Sequence, residues 1–446
     1  MTSTLDQLTG TVHRPGDPGY PAAVTGYNLA VVHAPALVVE AQTVDDVVTA
    51  VRYAAAEGLA VTVQNTGHGA RHPVGPDTLL LRTGALDGVA VDPVGRTVTV
   101  GAGVTSGQVV AAAAPHGLAL VAGAAPSVGV VGMATGGGMG PLARALGFAA
   151  DRVRSFEVVT ADGEQRHVAA DSEPDLFFAL RGGGGGVAVI TALTADLVEL
   201  PGFWGGAVFF PGAHAAAVLH AWRTWAPTLP TEVTTSIALL RLPDLPDLPP
   251  PLRGQFLVHL RIASTGSPDD GAALLAPMRA VAPVVVDTVG PRPYTEIGAV
   301  HLDPEQPAPT ADSGCLLGGL PAAAVDALLA VAGPGVETPL LAVELRQLGG
   351  ALAVRPEVPD AVSGRDAAFS LFAVGVLAPP VAAQVPAAVR AAVAALAPWR
   401  SGLQYGFAAG QDLTEAWTPS VLARLRRVTR DRDPDGLFRA AQQLPA

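Results

Sequence analysis

Lysine is missing from this chain: all 27 basic residues are arginine, against 39 acidic ones. An arginine-only complement points to a GC-rich coding sequence rather than to a mechanism. The net charge of -12 repels phosphodiester backbones, which excludes nucleic acid as a partner. Cysteine is nearly missing too. Cys315 stands alone, so neither an intramolecular disulfide nor a thiolate metal site is available. No stretch approaches the ~20 uninterrupted apolar residues of a membrane span. The opening MTSTLDQLTG has no basic segment ahead of an apolar run, so the expectation is a soluble, cytoplasmic protein with no membrane partner.

Apolar residues are abundant, at 49% of 446 positions, so a large core is easily buried. That length suits two or three domains rather than one simple core. The 51 glycines and 40 prolines fall between periodic segments, as turns. Up to about Pro201 short strands alternate with helices. Thr43 caps a helix with the apolar stripe Val44, Val47, Val48 and Val51, and Gly58 ends it. Strand Val61–Gln64 follows. Strand Thr97–Val100 leads through GAGVTSG into a helix from Gly107 to Ala114. Ser172-Glu173-Pro174-Asp175 reads as a capping box opening a helix over Leu176–Leu180. Beyond Pro201 the texture becomes β-rich, with helices at 213–225, 322–332 and 386–396. Alternation in these strands predicts an antiparallel sheet with one covered face. The expected divisions are 1–201, 202–400 and a closing segment 401–446 whose helix starts at Thr418-Pro419.

Three glycine-rich stretches carry the functional signal. In VTVQNTGHGAR a strand stops in a tight turn with His68 at its tip. The plain alternative for His68 is a turn histidine bonded to its own loop. His72 lies four residues on, but Gly67, Gly69 and Pro73 forbid the helix that would pair the two on a metal, and no metal site is expected. AGAAPSVGVVGMATGGGMG, 122–140, leaves backbone N–H groups uncovered for close approach by a ligand. GAGVTSG mimics a dinucleotide fingerprint. However, the next strand ends in AGAA, without the acid expected roughly 20 residues on to hold a ribose, so a nicotinamide site is rejected and Gly103 is assigned to a turn.

VTVQNTGHGAR and the 122–140 run together resemble the flavin signature of the berberine-bridge-enzyme-like branch of the p-cresol methylhydroxylase and vanillyl-alcohol oxidase superfamily. GFAADRVRSFEVVTADGE, EPDLFFALRGGGGGVAVIT and the closing RLRRVTRDRDPDGLF resemble it as well, so the likeness spans about 35–200 and 401–440. It implies an α+β fold: a flavin domain of two α/β subdomains plus an antiparallel-sheet substrate domain covered by helices. It also implies FAD, bonded covalently to His68, with the turn N–H groups of Asn65, Thr66, Gly67, His68, Gly69 and Ala70 on the pyrophosphate. Further flavin contacts are implied at Gly123, Val128, Gly132, Met133, Thr135, Gly136, Gly137, Gly138, Gly140, Val189 and Tyr405. Doubly tethered relatives have a cysteine where this chain has Ala125, so the attachment should be single. Met133 replaces a histidine that many relatives place near the flavin pyrimidine. Val128 matches the position that gates oxygen, where a small side chain favours an oxidase, plain packing being the alternative. Tyr405 opens the family's Tyr-x-Asn, but Phe407 stands in place of the asparagine.

Such enzymes remove hydride from a C–H next to oxygen or nitrogen while a positioned base takes a proton, the flavin carrying the redox chemistry. In LAVELRQLGGAL, Glu344 and Arg346 share one strand face, Val343 and Leu345 the other. If the polar face lines the flavin cavity, Glu344 is the base and Arg346 an anchor for an anionic group; otherwise the strand is a salt-bridged surface. Tyr405 is the third catalytic candidate. Tyr294 and His301, on an expected loop, rank lower, and His259 reads as a satisfied sheet histidine. Only 5 Tyr and 5 Trp are present, few for the ring stacking used by sugar-oxidising relatives, so a small, fairly apolar metabolite is expected as substrate and molecular oxygen as acceptor. The alternatives are a flavoprotein catalysing a non-redox cyclisation and a degenerate flavin-binding protein. Oligomeric state is not readable.

Overall fold

A computed structural model describes residues 5–440. The helix Val44–Glu57 starts in a capping box: the Thr43 hydroxyl accepts from the Asp46 N–H at 3.1 Å, and the Asp46 carboxylate accepts from Thr43. The same carboxylate accepts from Thr9, Gly10 and Gln42, so one buried acid also ties down the N-terminal strand. Gly58 ends the helix at φ +67. Its face of Val47, Ala50, Val51 and Ala54 packs on a four-stranded sheet in the order Thr11–His13, Leu37–Glu40, Thr78–Arg82, Ala60–Gln64.

A five-stranded antiparallel sheet follows, ordered Val89–Asp92, Thr97–Gly101, Val189–Asp196, Val153–Val159, Gln165–Ala169. The expected capping box before Pro174–Leu180 does not form. Glu173 is the N-cap at φ +62 with no side-chain cap bond, because Asp175 turns to Arg424 and Glu173 to Arg432 on the C-terminal helix Pro419–Arg432. Long-range ion pairs have displaced the local cap. That helix brings the tail back to the first sheet, where Val61 donates to Leu437 at 2.7 Å and Arg439 to Val61 at 2.9 Å.

A nine-stranded sheet runs from Gly202–Pro211 to Arg400–Gly402, every pair antiparallel. Helices Ala215–Trp225, Ala322–Ala332 and Val385–Ala395 join Ile237, Leu260, Leu345 and Leu371 in one continuous core. The alternate residues face the other way. Register places Ser370, Arg346, Ser236 and Arg261 in one row across four adjacent strands, and Phe372, Glu344, Ala238 and His259 in another. This polar face abuts the first half of the chain. Arg144, buried on the short helix Ala143–Leu146, stitches the contact by donating to the carbonyls of Val233 (2.8 Å), Leu229 (3.1 Å) and Leu348. Replacing Arg144 with leucine strands those carbonyls, and a loss of about 3 kcal/mol in urea-unfolding free energy is expected.

Candidate active site

His68 sits at the C-terminal end of strand Ala60–Gln64, where Gly67 turns the chain at φ +81 with its α-carbon hard against Gly26. Thr66 Oγ1 holds its Nδ1 at 2.8 Å, Ser127 Oγ lies 3.4 Å from Nε2, and the Tyr27 ring stacks on the imidazole at 3.7 Å between centroids. Burial, and then the Arg71 charge, lower its pKa to about 4, so the imidazole is neutral at physiological pH. A cleft of about 480 Å³ opens beside it, walled by Thr25, Gly26, Tyr27, Thr66, His68 and Ser127.

The loop around His68 is rich in unspent donors. Among the described residues Ala70 is the one N–H from Thr66 to Ala70 with a backbone acceptor, the Gly67 carbonyl. The buried Asn65 Nδ2 has no partner, and the Cβ sides of Gly69 and Gly132 are open. Clustered N–H groups and an orphan amide beside a cleft suit the diphosphate and ring edges of a dinucleotide. FAD therefore fits the residues present.

Other glycines of the signature answer to the fold itself. A Cβ on Gly140 would meet the Ala122 carbonyl at 1.9 Å, and one on Gly138 would meet Ala149 at 2.7 Å. Gly137 borders Val362 and Gly136 the Tyr405 ring, while Gly123 faces the Met133 sulfur. Thr135 is buried, and its carbonyl accepts from Gly182 and Gly184. Val128 is partly exposed beside Ser127. The Val189 side chain is fully buried in the core with Val159 and Leu437. Gly101, ending its strand, and Gly103, in the turn after it, press on the carbonyls of Leu86 and Gly84.

On the sheet face, the alternative of a salt-bridged surface strand for Glu344 and Arg346 is overturned, since both lie inside the nine-stranded sheet. Glu344 is held by Arg261 and by Arg346 at 2.8 Å, with His301 Nε2 at 3.5 Å. Burial opposes its ionisation, but the two guanidinium groups prevail and hold its pKa well below the carboxylate range. This corrects the expectation of Glu344 as base: a carboxylate so stabilised is a fixed anion and a poor proton acceptor. His301 and His259 are buried, and burial followed by the Arg261 charge lowers the pKa of each. His301 is thus a member of the cluster rather than of a loose loop. His259 is not fully satisfied: its Nδ1 accepts from Arg261 at 3.3 Å, but Nε2 has no partner.

Tyr405 is 8% exposed, packed over Gly184 and 5.8 Å from Trp417, with its N–H on Ser363. It stands behind the glycine-rich segments, not on the wall beside His68. Phe407, where the asparagine was expected, lies under the Arg346 guanidinium at 5.3 Å. Tyr294 is excluded as a proton carrier: its hydroxyl is spent on the Leu120 carbonyl, and burial pushes its pKa up to about 12. Arg71, Tyr27 and Arg261 escaped sequence reasoning. Arg71 joins the His68 loop to Asp312 at 2.7 Å and to the Gly406 carbonyl at 3.0 Å. Its position three residues after His68 was the available signal; Tyr27 and Arg261 offered none. Among the described residues no cluster suits a metal ion, and no helix is long and apolar enough to cross a membrane.

Residues 35–169 match the family model for an FAD binding domain. (R)-6-hydroxynicotine oxidase of Paenarthrobacter nicotinovorans is 32% identical over 226 residues, 50% of this chain and 46% of that protein. The chain thus spans less than half the length of this curated relative. In solved structures, 6-hydroxy-D-nicotine oxidase from Arthrobacter nicotinovorans superposes with a TM-score of 0.84 at 24% identity, covering 99% of each chain. Physcomitrella patens BBE-like 1 gives 0.84 at 20% identity, covering 99% of this chain and 98% of its own. The protein therefore has an FAD-binding domain joined to a large antiparallel sheet. Its fold is that of the solved BBE-like 1 and 6-hydroxy-D-nicotine oxidase structures.

Proposed function

We propose that this protein is an FAD-dependent oxidase. It removes hydride from a C–H next to oxygen or nitrogen of a small, fairly apolar metabolite, with molecular oxygen as final acceptor and FAD held by one covalent bond through His68. The observation that carries this reading is a neutral imidazole at the mouth of a donor-lined cleft. FAD, when bound, supplies the two-electron acceptor. Thr66 and Tyr27 fix the imidazole plane, and the loop N–H groups from Thr66 to Gly69 and the Asn65 amide would hold the cofactor. Ala125 leaves no thiol for a second bond. In the sheet-face cluster His301, kept neutral, takes the substrate proton, while Glu344 stays ionised and orients Arg346.

The test is the visible spectrum of the purified protein, followed by flavin bleaching and peroxide release with a panel of small alcohols and amines. Flavin bands that bleach with peroxide formed are the expected result. A colourless protein that takes up no added FAD overturns the reading. His301→Gln should lower kcat about 100-fold and remove the acidic limb of the kcat/KM profile. Because the His68 pKa is about 4, tethering of FAD by apoprotein should be level from about pH 8 to pH 5 and fall below that as the imidazole protonates and loses its lone pair.

A further inference from the structure

The sheet-face cluster carries an unbalanced charge. Arg261 and Arg346 are buried guanidinium groups, Glu344 is their one buried carboxylate, and His259 and His301 are neutral. Asp303, partly exposed at the edge, is the other acid within electrostatic reach of Arg346. Several polar atoms here are buried without partners among the described residues: Arg346 Nε, His301 Nδ1 and the Ser236 hydroxyl. A small cavity of about 20 Å³ lies among them, bounded by Arg261, Arg346, His301 and Ser236 on the sheet side. Met139 and Gly140 of the glycine-rich run bound its far side.

A surplus buried cation with unspent donors is costly unless something supplies the opposite charge. The cavity has room for about one water-sized group, hence for one carboxylate oxygen, and the planar fork of arginine matches a carboxylate. We propose that this cavity is a carboxylate-binding site, and that the substrate of the oxidase is an otherwise apolar metabolite carrying one anionic group that seats on Arg346 and Arg261. A cationic amine is repelled by the same surplus. The substrate assignment rests on the oxidase reading; the anion site itself does not.

Calorimetric titration of the purified protein at constant ionic strength tests it, with benzoate against the neutral isostere benzamide and acetate against acetamide. Each carboxylate is expected to bind at least about tenfold more tightly than its amide, and Arg346→Met to weaken benzoate about ten- to a hundredfold, as expected for a charged hydrogen bond. Equal affinities for acid and amide, or no binding by either, overturn the proposal. The wild-type contrast needs no variant, so a misfolded Arg346→Met leaves it intact. The visible spectrum of the same sample reads the flavin separately: a colourless protein that takes up no added FAD and still prefers benzoate refutes the oxidase and retains the anion site.

Discussion

The His68→Ala protein should release all of its flavin on acid precipitation, leaving a colourless pellet and a yellow supernatant, whereas the wild-type pellet stays yellow. A covalent bond to the cofactor needs a nucleophile with a free lone pair, and the imidazole has one because burial and Arg71 keep it unprotonated. Thiols are out of the question, since Ala125 occupies the position of the second tether and Cys315 is buried within the nine-stranded sheet. Ser127→Ala should keep its colour in the pellet, because its 3.4 Å contact positions the ring rather than reacting. Tyr27→Ala, which removes the stacked ring, should slow tethering without abolishing it. Wild-type colour found wholly in the supernatant, or a yellow pellet from the alanine variant, refutes the role assigned to His68.

Glu344→Gln is expected to be the most destabilising single change in the sheet-face cluster, at about 3–5 kcal/mol, because it leaves two buried guanidinium groups without their counter-charge. Urea unfolding at neutral pH measures it. The effect has a pH signature. The folded-state pKa of Glu344 lies well below its value in the unfolded chain, so the contribution is fully present above the unfolded pKa of about 4.3 and is lost as pH falls toward the folded value. The gap between wild type and Glu344→Gln should therefore narrow on acidification below about pH 4. A gap that is constant with pH would mean that the carboxylate contributes by packing alone.

Much of the first half was legible because its determinants are local. The Thr43 cap, the Gly58 terminus, the His68 turn and the Gly103 turn each follow from residues within a few positions of one another. Local rules failed where a distant partner competed for the same side chain. Asp175 and Glu173 left their cap for arginines some 250 residues away in the chain. Strand alternation correctly separated Glu344 and Arg346 from Val343 and Leu345, yet it gave no means of telling a solvent-exposed face from one pressed against another domain. Val189 was read from its place next to a glycine-rich motif, and its side chain turned out to belong to the core.

The sequence by itself thus determined the cofactor-binding signature, the lack of a thiol beside it and the periodicities of the sheets, because each is written in short-range spacing and in which residue types are present or missing. Only the tertiary structure decided the protonation of the site. Whether Glu344 is a base or a fixed anion, whether His301 is charged, and whether Arg346 has a donor to spare all depend on burial and on Arg261, brought from a strand more than eighty residues earlier. Electrostatic free energies follow distance in space and local dielectric, and neither is encoded in the position of a residue along the chain.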